Sequence, residues 1–141
     1  MTLQEILVNK GYLVHTITPD ASMADVVDML TNYNVGSLVV VEDGQMVGII
    51  TERDVLRCLA AREASLEETR VGDRMTEGPI CGELQHGVEE TMGLLTQYRI
   101  RHLPVIDEGR LVGLISIGDL VKCQFDAICL ENHFLKSYIQ S

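Results

Sequence analysis

From Tyr12 to Thr18 the chain reads YLVHTIT, a β-rich run that Pro19 ends. Apolar residues then recur at Met23, Val26, Val27, Leu30 and Tyr33, the spacing of one helical face. Ser22, with Asp25 three residues on, supplies a capping pair for that helix. The following segment, SLVVVEDGQMVGII, reads as two apolar strands joined at Asp43-Gly44, a dipeptide favoured in tight hairpins. A helix is predicted from about Glu52, and the polar AREASLEETR is read as its extension. Further on come the strand ICGEL, a helix near Val88–Tyr98, the strand pair HLPVIDEGRLVGLIS turning at Glu108-Gly109, and a helix from about Ile117. At the start, Leu3, Ile6 and Leu7 predict a helix over residues 1–11 that closes at Lys10-Gly11, with glycine in the usual terminating place. At the end, Phe125, Ile128, Leu135 and Tyr138 predict a terminal helix that packs on the body or on a second chain.

The pattern is written twice. Shifted by 65 residues, Leu30–Leu59 matches Leu95–Gln124 at 11 of 30 positions, among them Leu38, Gly44, Gly48, Ile50, Asp54 and their partners. Such a repeat sets the architecture before any local assignment does. Each copy is a β-α-β-β-α unit, too small to cover its own sheet. The expected fold is therefore α+β, two such motifs packed with pseudo-two-fold symmetry and clefts between them. The expected division is an N-terminal helix over 1–11, a first repeat with its linker over 12–69, a second repeat over 70–125 and a helical tail over 126–141.

At 141 residues the chain buries enough surface, roughly 68–70% of the unfolded total, to need no disulfide or metal. Its net charge of −10 opposes nucleic-acid backbones, so no nucleic-acid partner is expected. The modest basic group Arg99, Arg101, His102 and Arg110 suits a single phosphate and not a duplex. No segment approaches 18 consecutive apolar residues and the first residues lack a secretory pattern, so no membrane partner is expected and a cytoplasmic location is. Cys58, Cys81, Cys123 and Cys129 form no C-x-x-C and read as thiols in a reducing compartment.

The chemistry concentrates where strand gives way to helix. GIITERDVL and GLISIGDLV both place a hydroxyl residue three positions before an aspartate, as Thr51/Asp54 and Ser116/Asp119. Two readings stand. Each pair fits a capping box, which stabilises its helix by about 1 kcal/mol. Each also fits a nucleotide seat, because helix N-terminal amides attract phosphate and a carboxylate accepts both hydrogens of a ribose diol. Under the second reading Val14, Thr16, Ile17 and Val39 in the first copy, and Ile80, Ile100 and Pro104 in the second, are candidates to line the site beside an adenine. Arg53, Arg101 and His102 are candidates to neutralise phosphate.

With NVGSLVVVEDGQMVGIITERDVL and RIRHLPVIDEGRLVGLISIGDLV in tandem, and RVGDRMTE at Arg70–Glu77, the chain resembles a tandem pair of CBS domains, a Bateman module, over about residues 3–138. FLKSYIQS resembles the tail of small stand-alone members of that family. The resemblance implies that Thr51, Asp54, Ser116 and Asp119 hold the ribose and phosphate of an adenosine ligand. It implies that Arg101 and His102 contact phosphate, whereas Gly36 and Ser37 stand at those places in the first copy. It further implies AMP, ATP or NAD as a bound effector, with no obligatory cofactor, a homodimer, and regulation in trans of an unidentified partner protein. S-adenosylmethionine is an alternative ligand for the same clefts. A ligand-free dimerisation or docking module, with both motifs acting only as caps, is the competing reading.

A catalytic role finds no support in the motifs. His15, His86, His102 and His133 form no H-x-x-x-H, and no two of the 12 glycines stand as G-x-G. The expectation is a chain that is not an enzyme.

Overall fold

A computed structural model describes residues 1–140. In chain order it contains α1 (Leu3–Lys10), β1 (Thr16–Ile17), α2 (Met23–Tyr33), β2 (Ser37–Glu42), β3 (Gln45–Thr51), α3 (Glu52–Ala61), α4 (Val71–Arg74), β4 (Thr76–Glu77), β5 (Gly82–Glu83), α5 (Val88–Tyr98), β6 (His102–Asp107), β7 (Arg110–Ser116) and α6 (Ile117–Gln140). The fold is α+β, and the doubled β-α-β-β-α pattern is present. The expected tail over 126–141 is the continuation of α6, and its last residue lies outside the described ones.

Both hairpins turn where the sequence places them. Asp43 and Gly44 have φ of 53° and 78°, Glu108 and Gly109 φ of 50° and 75°. Two consecutive positive φ angles are what a two-residue hairpin demands, and Asp-Gly supplies them at low cost. Helices α2 and α5 also end alike. Asn34 and Arg99 adopt the left-handed conformation, and the amides of Val35 and Ile100 return to the carbonyls of Leu30 and Leu95. This six-to-one bond satisfies a carbonyl that the helix end would otherwise strand.

Two compact units emerge, and they do not follow sequence order. The first-repeat unit comprises Leu13–Ile80 with Gly109–Leu111; the second-repeat unit comprises Met1–Tyr12, Cys81–Glu108 and the chain from Val112 onward. In the first-repeat unit the sheet order is β1-β2-β3-β4, with β1 parallel to β2 and the remaining pairs antiparallel. Ile17, Leu38, Val40 and Ile50 face a core closed by Met23 and Val26 of α2, Cys58 of α3 and Val71 of α4. RVGDRMTE thus precedes the second repeat in the chain but packs on the first, with β4 hydrogen-bonded to β3.

The second-repeat unit has the three-stranded sheet β5-β6-β7. Its missing cover is α1. Leu3, Ile6 and Leu7 are buried, and the amides of Leu3 and Gln4 donate to the carbonyls of His86 and Leu84 at 3.0 Å each. A β-carbon at Gly113 would lie 2.7 Å from both Leu7 methyls; at Gly48, its counterpart in the first repeat, one would lie 2.7 Å from the Thr76 carbonyl oxygen and 2.8 Å from Met75 Sδ. The glycine of each G-h-h-[ST] motif is therefore a packing notch for the segment that completes its unit.

Two expectations are corrected. Helix α3 does not extend through AREASLEETR but stops at Ala61, with Arg62 left-handed at φ 55°. The chain must turn back because Leu66 packs against the first core and the carbonyls of Leu66 and Thr69 accept the α2 amides of Ala24 and Met23. The strand expected over Tyr12–Thr18 shrinks to Thr16–Ile17, since only those residues find a ladder partner, in β2.

Candidate functional site

Each repeat ends a strand and begins a helix at its hydroxyl–aspartate pair, and both pairs are capped from within. At the start of α3, the Thr51 amide donates to Asp54 Oδ2 at 2.8 Å and the Thr51 hydroxyl to the same oxygen at 3.2 Å. At the start of α6, the Ser116 amide donates to Asp119 Oδ2 at 2.8 Å, and the Asp119 amide donates back to Ser116 Oγ at 3.2 Å. The residue just before β2 or β6 takes one further amide at each place. Glu52 donates to the Gly36 carbonyl at 3.1 Å and Ile117 to the Arg101 carbonyl at 2.8 Å. The open cradle of helix amides expected for phosphate is thus partly consumed, because each chain segment beside the helix start offers a carbonyl.

Capping does not exhaust the carboxylates. An ionised carboxylate has two oxygens and about four lone-pair positions. Both boxes use Oδ2. Among the described residues Asp54 Oδ1 meets only the Arg57 guanidinium, 3.9 Å away and largely solvent-exposed, while Asp54 itself is buried. The choice between cap and ligand site is therefore no exclusive one.

The second pair carries a residue that sequence reasoning missed. Lys10, in the last turn of α1, donates from Nζ to Asp119 Oδ2 and to the Leu114 carbonyl, at 2.7 Å each. No motif links Lys10 with a residue 109 positions away; only the docking of α1 on the second sheet brings them together. Burial pushes the Asp119 carboxyl up, but the bonds from Lys10 and from the Ser116 amide outweigh it, leaving the group below its ordinary 3.8. The half-buried Cys81, by contrast, is pushed up by burial alone.

The remaining candidates divide by unit and by sheet face. Thr16 pairs with Val39, Val39 with Ile49, and Ser37 with Thr51, so these side chains share the face opposite the first core. Val14 is half-buried just before β1, and Arg53 is exposed in the first turn of α3. Ile17 is a correction. Strand alternation turns it into the core with Leu38 and Val40, away from Thr16 and Val39. Ile80 is the last residue of the first-repeat unit, next to Cys81 of the other, to which Ile100, Arg101, His102, Pro104, Ser116 and Asp119 belong. Among these, Pro104 is buried, Ile100 and His102 are half-buried, and Arg101 is exposed. Ser37, noted in the sequence only as standing at the place of His102, has a further property. It is only 2% exposed, and its hydroxyl has no hydrogen-bond partner among the described residues. No His/Cys/Asp/Glu group suited to a metal ion occurs among the described residues, and none of their helices is long and apolar enough to cross a membrane.

Comparison with known proteins places this architecture. The sequence pattern of the CBS domain matches residues 13–61 and 71–126. The mitochondrial CBS domain-containing protein CBSX3 of Arabidopsis thaliana is 38% identical over 148 aligned residues, covering 99% of this chain and 72% of that protein. The solved structure of a protein with CBS domains from Burkholderia ambifaria MC40-6 is 39% identical with a TM-score of 0.84, covering 87% of this chain and 93% of that one. A CBS domain pair solved in complex with 5′-methylthioadenosine and S-adenosyl-L-methionine has a TM-score of 0.80 at 23% identity over 90% of this chain and 98% of that one, a likeness of fold alone. Two matched segments, each with its own hairpin and its own hydroxyl–aspartate strand exit, make this chain a member of the CBS-domain family and, within it, a tandem CBS pair.

Proposed function

We propose that this CBS pair is a regulatory module that binds adenine nucleotides of the AMP or ATP type and acts in trans on a partner protein. The observation that carries the reading is at the start of α6. Asp119 keeps Oδ1 outside its capping box, and Lys10, with its side chain 36% exposed, stands 2.7 Å from Oδ2. A ribose diol donates to the remaining carboxylate oxygen; a phosphate recruits Lys10 and the exposed Arg101, whose carbonyl already anchors the first amide of α6. His102, Ser116, Ile100 and Pro104 complete the second site, while Val14, Thr16, Val39, Thr51, Arg53 and Asp54 form the first. NAD or S-adenosylmethionine would use the same adenosine contacts.

Calorimetric titration of the full chain with AMP tests this reading. Lys10→Met is expected to weaken AMP roughly tenfold, the loss of one charge-assisted hydrogen bond. An unchanged AMP affinity in that variant, or no AMP binding by the wild type, rejects the assignment. Regulation in trans requires reciprocal coupling of about 1–3 kcal/mol between nucleotide and partner.

A second copy of the chain is the proposed cover for α6. Val121, Phe125, Ile128, Leu135 and Ile139 recur at heptad-like spacing and are each more than half exposed. Asn132 interrupts the stripe at an inward heptad position, a polar placement that fixes register between paired helices. Phe125→Glu is expected to convert a dimer into a monomer in analytical ultracentrifugation, and a wild type that sediments as a monomer at micromolar concentration counts against pairing.

A further inference from the structure

We infer that the two sites are built for different ligand classes, the first taking an adenosine compound whose 5′ end is uncharged and the second a phosphorylated one, with Ser37 as the specificity-determining residue of the first. This rests on the adenosine-binding reading above and deepens it.

By the 65-residue repeat, Gly36 and Ser37 occupy the places of Arg101 and His102. The second site thus offers a guanidinium and an imidazole where the first offers no side chain and a hydroxyl. The packing segments widen the difference. Lys10, from α1, neutralises Asp119, whereas Met75 follows α4 at the corresponding notch and brings no charge. Asp54 is buried, and the Arg57 guanidinium stands only at the 3.9 Å margin. Arg53 and Arg57 are exposed on α3, as Arg101 is in the second repeat, so the sites differ chiefly in Lys10, which is hydrogen-bonded at Asp119 and has no counterpart at Asp54. A phosphate brought to this carboxylate meets repulsion instead of a counter-charge.

Ser37 supplies the second, independent observation. Its Oγ is buried without a hydrogen-bond partner, directly across the ladder from Thr51. Leaving a buried hydroxyl unpaired is unfavourable, and such groups in folded proteins are almost always satisfied by protein, water or ligand. Thr16, Ser37 and Thr51 share one sheet face, so the first site is lined by hydroxyls; those of Thr16 and Ser37 can donate and accept, and that of Thr51, which donates to Asp54 Oδ2, can accept. Hydrogen bonds from such groups suit a ribose hydroxyl, thioether-linked or free 5′ end, and carry no charge to hold a phosphate.

Titration calorimetry of the full chain, with adenosine and AMP as probes, tests the division. Adenosine is expected to bind one site per chain and to remain bound under saturating AMP. Ser37→Ala is expected to lower adenosine affinity roughly tenfold, leave AMP affinity unchanged and leave the ligand-free melting temperature equal or higher, since an unpaired hydroxyl has been removed. Ser37→Cys, close in shape but a weaker donor, is expected to fall between the two. Asp119→Asn is expected to remove the AMP event alone. The inference is overturned if AMP displaces adenosine one for one, if Ser37→Ala binds adenosine as the wild type does, or if AMP binds and adenosine does not. Binding of neither compound overturns the proposed function as well.

Discussion

A chain beginning at Tyr12 is expected to lose about 3–5 kcal/mol of stability, and to lose it in the second repeat, not in the first repeat that the deleted residues precede. Leu3, Ile6 and Leu7 are buried side chains, each contributing about 1.5–3 kcal/mol of burial. Ordering the eight-residue α1 and the residual compactness of the unfolded chain offset part of that sum. Without α1 the notch at Gly113 lies open, and the carbonyls of Leu84 and His86 lose the amides of Gln4 and Leu3. Hydrogen exchange should show β5, β6, β7 and α5 deprotected while β1–β4 keep their protection. Leu7→Ala alone is expected to cost about 2–5 kcal/mol, the range for a buried leucine that leaves a cavity. If the shortened chain unfolds at the same urea midpoint as the full one, the assignment of α1 to the second repeat is wrong.

Asp119→Ala carries the second large effect, because one carboxylate serves the cap, the Lys10 pair and the proposed sugar contact. Losing the cap costs about 1 kcal/mol. Stranding Lys10, whose ammonium is only partly exposed, adds about 1–2 kcal/mol, less than for a fully buried pair because solvent reaches both groups. The response to AMP should vanish too; at 100 times the dissociation constant the wild type gains about 2.7 kcal/mol from ligand. Asp119→Asn separates the roles, since an amide oxygen still accepts from the Ser116 amide but forms no ion pair.

The same comparison has an acid signature. The folded carboxyl lies below its ordinary 3.8, so its contribution is fully present above that value and disappears as pH falls through the lower folded value. Wild-type stability should therefore drop more steeply below pH 3.8 than that of Asp119→Asn. Parallel acid profiles for the two proteins would show that Asp119 is not held by Lys10.

Local chemistry was readable where neighbours in the chain settle it. Asp43-Gly44 and Glu108-Gly109 turn as hairpins because their φ requirements are local. Ser22/Asp25 caps α2 because a capping box spans only three residues. Residues whose role depends on strand alternation were harder. Ile17 and Thr16 are adjacent, and nothing in YLVHTIT says which of them faces the core until β1 finds its register on β2. Ser37 could be matched to His102 by the repeat, but the burial of its hydroxyl without a partner among the described residues appears only in the folded sheet.

What the sequence determined by itself is the doubled unit, its hairpins, its helix caps and the two hydroxyl–aspartate exits, all of which rest on short-range dihedral and hydrogen-bond preferences. Only the tertiary structure decided which segment completes which repeat. Each sheet leaves a glycine notch that some apolar side chain must fill, and both Leu7 and Met75 are apolar residues able to do so. Burial is non-directional and blind to chain order, so the filling of Gly113 by α1, and with it the meeting of Lys10 with Asp119, is settled by packing across more than a hundred residues of chain.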